Sequence, residues 1–153
     1  MPNQKYGIAF PFIDSPEGFF LGLNSSADNE IKSNLIHLIL TQKGARYFLP
    51  DFGTNLLKYI FEPLDTSTKT NIDREIRESV AKYIPNLTVN EVEVKSIDIR
   101  LEEQTEGTPV ALLEQNSFGF AGASEREYSV RIRIDYSIGD DVFETKDFVI
   151  INL

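Results

Sequence analysis

A chain of 153 residues with 41% apolar and 11% aromatic side chains, including 11 Phe and no Trp, can bury a substantial core and is far from a disordered composition. Its 24 acidic residues against 15 basic ones leave a net charge of −9, which argues against a surface for nucleic-acid phosphates or anionic lipid and favours a basic partner. The absence of Cys excludes disulfides, thiolate metal sites and Cys nucleophiles.

Met1 to Tyr6 contain no apolar run of signal-peptide length, and no stretch approaches the roughly 20 apolar residues of a membrane span, so a soluble, unexported protein is expected. Residues Tyr6 to Leu23 are rich in Gly, Pro and Phe. Pro11 and Pro16 preclude a continuous helix, and Phe10, Phe12, Phe19 and Phe20 imply an extended arm lying on an apolar surface, the chain's own or a partner's.

Ser25, Ser26, Asp28 and Glu30 supply a cap and first-turn acids, after which Ile31, Leu35, Leu38 and Ile39 recur at helical spacing. This predicts an amphipathic helix ending near Thr41. His37, the only histidine, has no second His or placed acid beside it and reads as a surface or core-edge residue rather than a ligand or base.

Gly44 to Phe61 is the stretch around which the rest is arranged. Gly44, Gly53 and Pro50 shape a turn that carries Tyr47, Phe48 and Phe52, and a short apolar helix over Leu56, Leu57, Ile60 and Phe61 follows. A loop with three aromatics is expected to be a structured elbow packed under the neighbouring helices. Asp65, Thr66 and Ser67 then cap a helix from about Ser67 to Ile84, with Ile72, Ile76, Val80 and Tyr83 on its inner face. Asp73, Arg74, Glu75, Arg77 and Glu78 read as its solvated side.

Past Pro85 the period changes to two. Leu87 to Leu101 reads as a long strand whose apolar phase slips at Asn90-Glu91 and again at Ser96-Ile97, each slip a candidate bulge or bend. Tyr128, Val130, Ile132, Ile134 and Tyr136 alternate strictly with polar residues, and Ile138 to Asp141 form a hairpin loop into a last strand, Val142 to Asn152. The segment 102–126 between the first two strands reads as a long Gly-containing loop, with Phe118-Gly119-Phe120 as a candidate contact point. The expected fold is α+β: three helices on one face of a small antiparallel β-sheet, with an extended N-terminal arm. It reads as a single domain made of an arm (1–24), a helical part (25–86) and a sheet (87–153).

There is no phosphate-binding Gly-rich loop, no His-based metal spacing and no G-x-S-x-G elbow. Asp51 and Glu62, bracketing the elbow, are the acid pair a small acidic muramidase would use. The sheet offers backbone instead: an outer strand presents unpaired N–H and C=O groups to which another chain can add. The last strand runs almost to the final residue, and Phe143, Thr145, Phe148 and Ile150 mark it as the candidate edge.

The ordered set of these pieces resembles the baseplate wedge proteins that initiate the sheath of contractile phage tails, shared with type VI secretion and other contractile injection systems. The residues that carry the resemblance are Gly7 to Phe12 with Phe-Pro-Phe; Leu40-Thr41, Gly44 and Arg46; Leu49-Pro50-Asp51-Phe52-Gly53; Leu56 with Phe61-Glu62-Pro63; and Tyr83-Ile84-Pro85 before the Val89 to Val94 strand. They span about two thirds of the chain. The resemblance implies a structural protein without a catalytic residue or cofactor, placed in a virion tail baseplate or in the corresponding cytoplasmic machine. Its partners would be the tail sheath protein, other baseplate wedge subunits and the nearby tail tube, in a ring of several copies. The sheath's arms would add to the edge strand, and Pro50, Phe52, Gly53, Tyr83, Pro85 and Asn86 would meet neighbouring wedge subunits. Where the family often carries Glu-Pro-Arg, this chain has Ile84-Pro85-Asn86, so only the proline of that contact is kept. Some members are labelled lysozyme-like, a label these residues do not support.

Overall fold

The computed structural model describes residues 6–15, 18, 20–98, 117–119, 128–139 and 145–153. The arm folds back on itself. β1 (Tyr6–Ile8) pairs antiparallel with β2 (Leu23–Asn24), and backbone bonds run from Ala9 N to Gly22 O at 2.9 Å and from Gly22 N to Ile13 O at 2.7 Å. Phe10 packs against the chain's own core, whereas Phe12 and Phe20 stay exposed.

α1 (Ala27–Leu40) starts where Ser26 Oγ accepts the Asn29 N–H at 3.2 Å, with Asp28 and Glu30 at the positive end of its dipole. A 3-10 helix, Leu56–Phe61, stands where the short apolar helix was expected. α2 (Thr66–Tyr83) is capped by Asp65, whose carboxylate accepts the Thr68 N–H at 2.7 Å and is held below the usual carboxylate range by that bond.

β3 (Leu87–Asp98), β4 (Ser117–Gly119), β5 (Tyr128–Ile138) and β6 (Thr145–Asn152) form one sheet in the order β3-β5-β6-β4. The expected antiparallel ladder is formed by β3, β5 and β6, and β4 joins it parallel to β6. The first phase slip is a bulge at Asn90, since Val89 pairs with Tyr136 and Glu91 with Asp135. The second is absent: pairing runs unbroken from Glu91 to Asp98, so the irregular apolar phase at Ser96-Ile97 reflects side-chain choice alone. Ile99 to Leu101 lie outside the described residues.

The helices cover one face of the sheet. Leu35, Leu38 and Ile39 of α1, Ile72, Ile76 and Val80 of α2, and Ile132, Ile134, Val149 and Ile151 of the sheet share one buried cluster, which Leu153 closes. Each such side chain, fully buried, contributes about 1.5–3 kcal/mol. Lys32 ties α1 to β6 through Asp147 at 2.8 Å, and Tyr136 donates to the same carboxylate at 3.3 Å. Burial, together with that carboxylate, raises the Tyr136 phenol far above its ordinary range, so it stays a donor.

One correction follows from the strand order. The last strand is not outermost along its length, because β4 occupies its outer flank at Ile150–Asn152. Ile150 therefore has backbone neighbours on both sides, Arg133 in β5 and Ser117 in β4, and is no open-edge residue. Of the candidate contact point Phe118-Gly119-Phe120, Phe118 and Gly119 belong to this strand, in register with Ile151 and Asn152, and Phe120 lies outside the described residues.

The chain between α1 and the 3-10 helix is closed at its neck by backbone. Thr54 N donates to Thr41 O at 2.8 Å, Lys43 N to Thr54 O at 3.1 Å and Gly44 N to Pro50 O at 2.7 Å. Gly53 makes this approach possible: its φ is +108°, and a Cβ there would collide with the Thr41 carbonyl. Gly53→Ala is expected to lower stability by about 2–4 kcal/mol in urea denaturation. Gly44→Ala, at φ +87° with no atom within 4 Å of the added carbon, is expected to cost only about 1–2 kcal/mol.

Candidate functional site

The elbow is a backbone-tied lobe, and its aromatics divide into two groups. Phe52 turns inward, with the Arg46 guanidinium 3.9 Å from its ring centre and the Tyr83 ring edge-on at 5.1 Å. Tyr47 and Phe48 turn outward, 91% and 94% exposed, edge-to-face with one another at 5.2 Å. The expectation that all three rings pack under the helices holds for Phe52 alone. Main-chain bonds at the neck already order the loop, so its tip needs no buried side chain.

Among the residues expected to meet wedge subunits, the structure brings Phe52, Gly53 and Tyr83 together where the elbow crosses the end of α2. Ser79 Oγ donates to Gly53 O at 3.2 Å, and Lys82 approaches Asp51 at 3.6 Å on the outside. Pro50 is exposed at the base of the lobe. Pro85 and Asn86 are exposed in the turn between α2 and β3, closed by Leu87 N to Ile84 O at 3.1 Å. Of the six, Pro50, Pro85 and Asn86 are exposed, Phe52 and Tyr83 half-buried and Gly53 buried, and Tyr47 and Phe48 lie on the same loop as Pro50.

Sequence reasoning missed the residue that ties the elbow's neck to α2. Glu75, assigned to the solvated side of α2, is buried. Its Oε1 accepts the Asn55 N–H at 2.6 Å and the Lys43 ammonium at 3.5 Å, and its Oε2 accepts the Tyr59 hydroxyl at 3.3 Å. It thus binds the start of the 3-10 helix and the neck of the elbow to α2. Arg77, on the same supposed face, donates to Val89 O at 2.6 Å and Asn90 O at 3.3 Å, at the bulge. Helical periodicity could not reveal either, because both sit among charged neighbours.

His37 forms the hinge between arm and elbow. Phe10 stacks on its ring at 5.0 Å and Arg46 Nη2 lies 3.1 Å from Nε2. Burial and the Arg46 charge lower its pKa from the ordinary 6.5. Beside a guanidinium, the neutral imidazole is the form that accepts a hydrogen bond.

On the sheet, Thr145 is exposed at the start of β6 and Phe148 is half-buried with the Arg133 guanidinium 4.4 Å from its ring centre. Ile150 is buried. Phe143 lies outside the described residues. The flank of β3 facing away from β5 has no described strand beside it, and Glu91, Glu93, Lys95 and Ser96 on this strand are exposed. No helix among the described residues is long and apolar enough to cross a membrane.

Residues 25–110 match the family model of the baseplate wedge protein gp25. The baseplate wedge protein gp25 of Enterobacteria phage T4 is 38% identical over 67 residues, 44% of this chain and 47% of that protein, so the chain spans about half the length of this relative. A putative tail lysozyme from Geobacter sulfurreducens shares the fold with a TM-score of 0.56 and 19% identity, over 86% of this chain and 96% of that one. A chain of the anti-feeding prophage baseplate shares it with a TM-score of 0.54 and 22% identity, over 67% and 78% respectively.

Two outcomes test this geometry. Glu75→Ala, which strands the Asn55 N–H and the Tyr59 hydroxyl, is expected to cost about 2–4 kcal/mol by chemical denaturation, and Glu75→Gln clearly less. For His37 the folded pKa lies below the unfolded one, so the unfolded chain binds the proton first. Stability is then full above about pH 6.5 and falls as the pH drops through and below that value. Denaturation curves between about pH 5 and 8 are expected to show this slope in the native sequence and to lose it in His37→Gln.

Proposed function

Because the chain belongs to the family of the baseplate wedge protein gp25, we propose that it is a structural, non-enzymatic subunit of the baseplate of a contractile tail or injection system, assembled in several copies with other wedge subunits. Its finer role is to seed the tail sheath around the tube by taking extended arms of sheath subunits onto its sheet as added strands.

The observation that carries this is the outer flank of β3. From Glu91 to Asp98 one side of the strand is committed to β5, and no described strand lies on the other. A flank of that length offers an incoming segment a row of main-chain donors and acceptors, and the alternating side chains set its register. Exposed Glu91, Glu93 and Lys95 discourage indiscriminate pairing, as charges on open edges do. At the other end of the strand, Arg77 occupies the carbonyls of Val89 and Asn90, which confines the acceptor to the part beyond the bulge.

Neighbouring wedge subunits would meet the surface around Pro50, Phe52, Gly53, Tyr83, Pro85 and Asn86. The outward rings of Tyr47 and Phe48 support this, since a pair of almost fully exposed aromatics beside a rigid elbow suits burial by a partner. A wall-cleaving role finds no such support. Asp51 is 80% exposed and paired with Lys82, without the apolar enclosure that sets apart a glycosidase acid, and 19% identity to a putative tail lysozyme speaks for a shared fold alone.

Successive residues of a strand direct their N–H groups to opposite flanks, so of Lys95→Pro and Ser96→Pro one spares the β5 ladder. That variant is expected to stay folded, by an unchanged melting curve, and to lose most recruitment of the sheath protein from the same particle in a co-sedimentation assay. Full recruitment by the folded variant would refute strand addition at β3.

A further inference from the structure

We infer that Arg46, with Tyr47 and Phe48 beside it, is a docking site for a carboxylate that a different wedge subunit carries next to apolar side chains. This rests on the reading that wedge subunits meet the elbow, and it names the chemistry of what they present there.

The lobe presents these residues on backbone that is already ordered. Successive turns close from Ala45 N to Gln42 O at 3.1 Å, from Leu49 N to Arg46 O at 3.3 Å and from Phe52 N to Leu49 O at 3.1 Å, and the bond from Gly44 N to Pro50 O at 2.7 Å ties them together. Tyr47 and Phe48 are the central pair of the middle turn, and both rings are exposed. An apolar surface fixed in this way loses less conformational freedom on binding than a loose one.

Arg46 opens the same turn and is half-buried. The Phe52 ring lies 3.9 Å from its guanidinium carbon, and Nη2 is 3.1 Å from His37 Nε2. These contacts fix the plane of the fork, but neither brings a negative charge. Lys43 and Lys82, on either side of the elbow, have theirs in Glu75 and Asp51, whereas among the described residues no carboxylate pairs with Arg46. The local sequence supplies none to spare, since Asp51 is the only acid between Ile31 and Phe61. A planar fork held in place, partly shielded from water and without a counter-charge, suits bidentate capture of a carboxylate. Exposed aromatics beside it suit the apolar residues around that carboxylate, and their burial would keep water from the ion pair. A second copy of this chain is the poorer occupant, because two surfaces of net charge −9 repel.

The probe is the set of other wedge subunits of the same particle, purified together and titrated against the full chain at low and high salt. Arg46→Gln, shown to be folded by its melting curve, is expected to bind them about tenfold more weakly at low salt and to lose most of the salt dependence of the native chain. Tyr47→Ser/Phe48→Ser is expected to bind about tenfold more weakly with the salt dependence kept. Arg46→Lys adds a direct readout, because a carbodiimide joins an amine to a carboxylate it touches: a cross-link from position 46 to an Asp or Glu of a wedge subunit is expected, read by mass spectrometry. Native-like binding by both folded variants would overturn this inference while leaving wedge assembly intact. Weakened binding by Arg46→Gln with an unchanged salt dependence would make Arg46 a packing residue and overturn the carboxylate. Self-association of the native chain that Arg46→Gln abolishes would overturn the assignment to a different subunit. No binding of any wedge subunit by the native chain would overturn the reading on which the inference rests.

Discussion

The buried carboxylate of Glu75 is the constraint on which the arrangement of the helical part rests. A helix, a 3-10 helix and a loop neck meet at one side chain, which accepts from the Asn55 backbone, the Tyr59 hydroxyl and the Lys43 ammonium. A buried acceptor of this kind holds a buried donor such as the Tyr59 hydroxyl firmly, because that donor has no water as an alternative. With the neck fixed, Gly53 can lie against Thr41, Phe52 can sit between Arg46 and Tyr83, and the lobe can project with its own aromatics exposed.

The sheet handles its two edges differently. At β3 a bulge and Arg77 dispose of the carbonyls near α2, and exposed charges line the remainder. At β6 the chain supplies its own short strand over the last three residues. Charges along an open strand discourage chance edge-to-edge pairing.

Much of the fold was legible because its local signals agree with its packing. Ser26 and Asp65 cap the helices they were expected to cap, the apolar spacings of α1 and α2 face the cluster they predict, and the strict alternation of β5 places Ile132, Ile134 and Tyr136 inward. The ordered motifs around the elbow pointed to the family through local turn chemistry. Phe52 and Tyr83, far apart in sequence, meet edge-to-face where the elbow crosses the end of α2.

What a single sequence determined about this protein is therefore everything that follows from period, cap and turn, since those depend on neighbours a few residues away. The partners of Glu75 and Arg77, the outward turn of Tyr47 and Phe48, and the β4 pairing that takes Ile150 off the edge were decided only by the tertiary structure. In each case the deciding contact joins segments distant along the chain: a buried charge reads the same as a solvated one, and strand order leaves no mark on alternation.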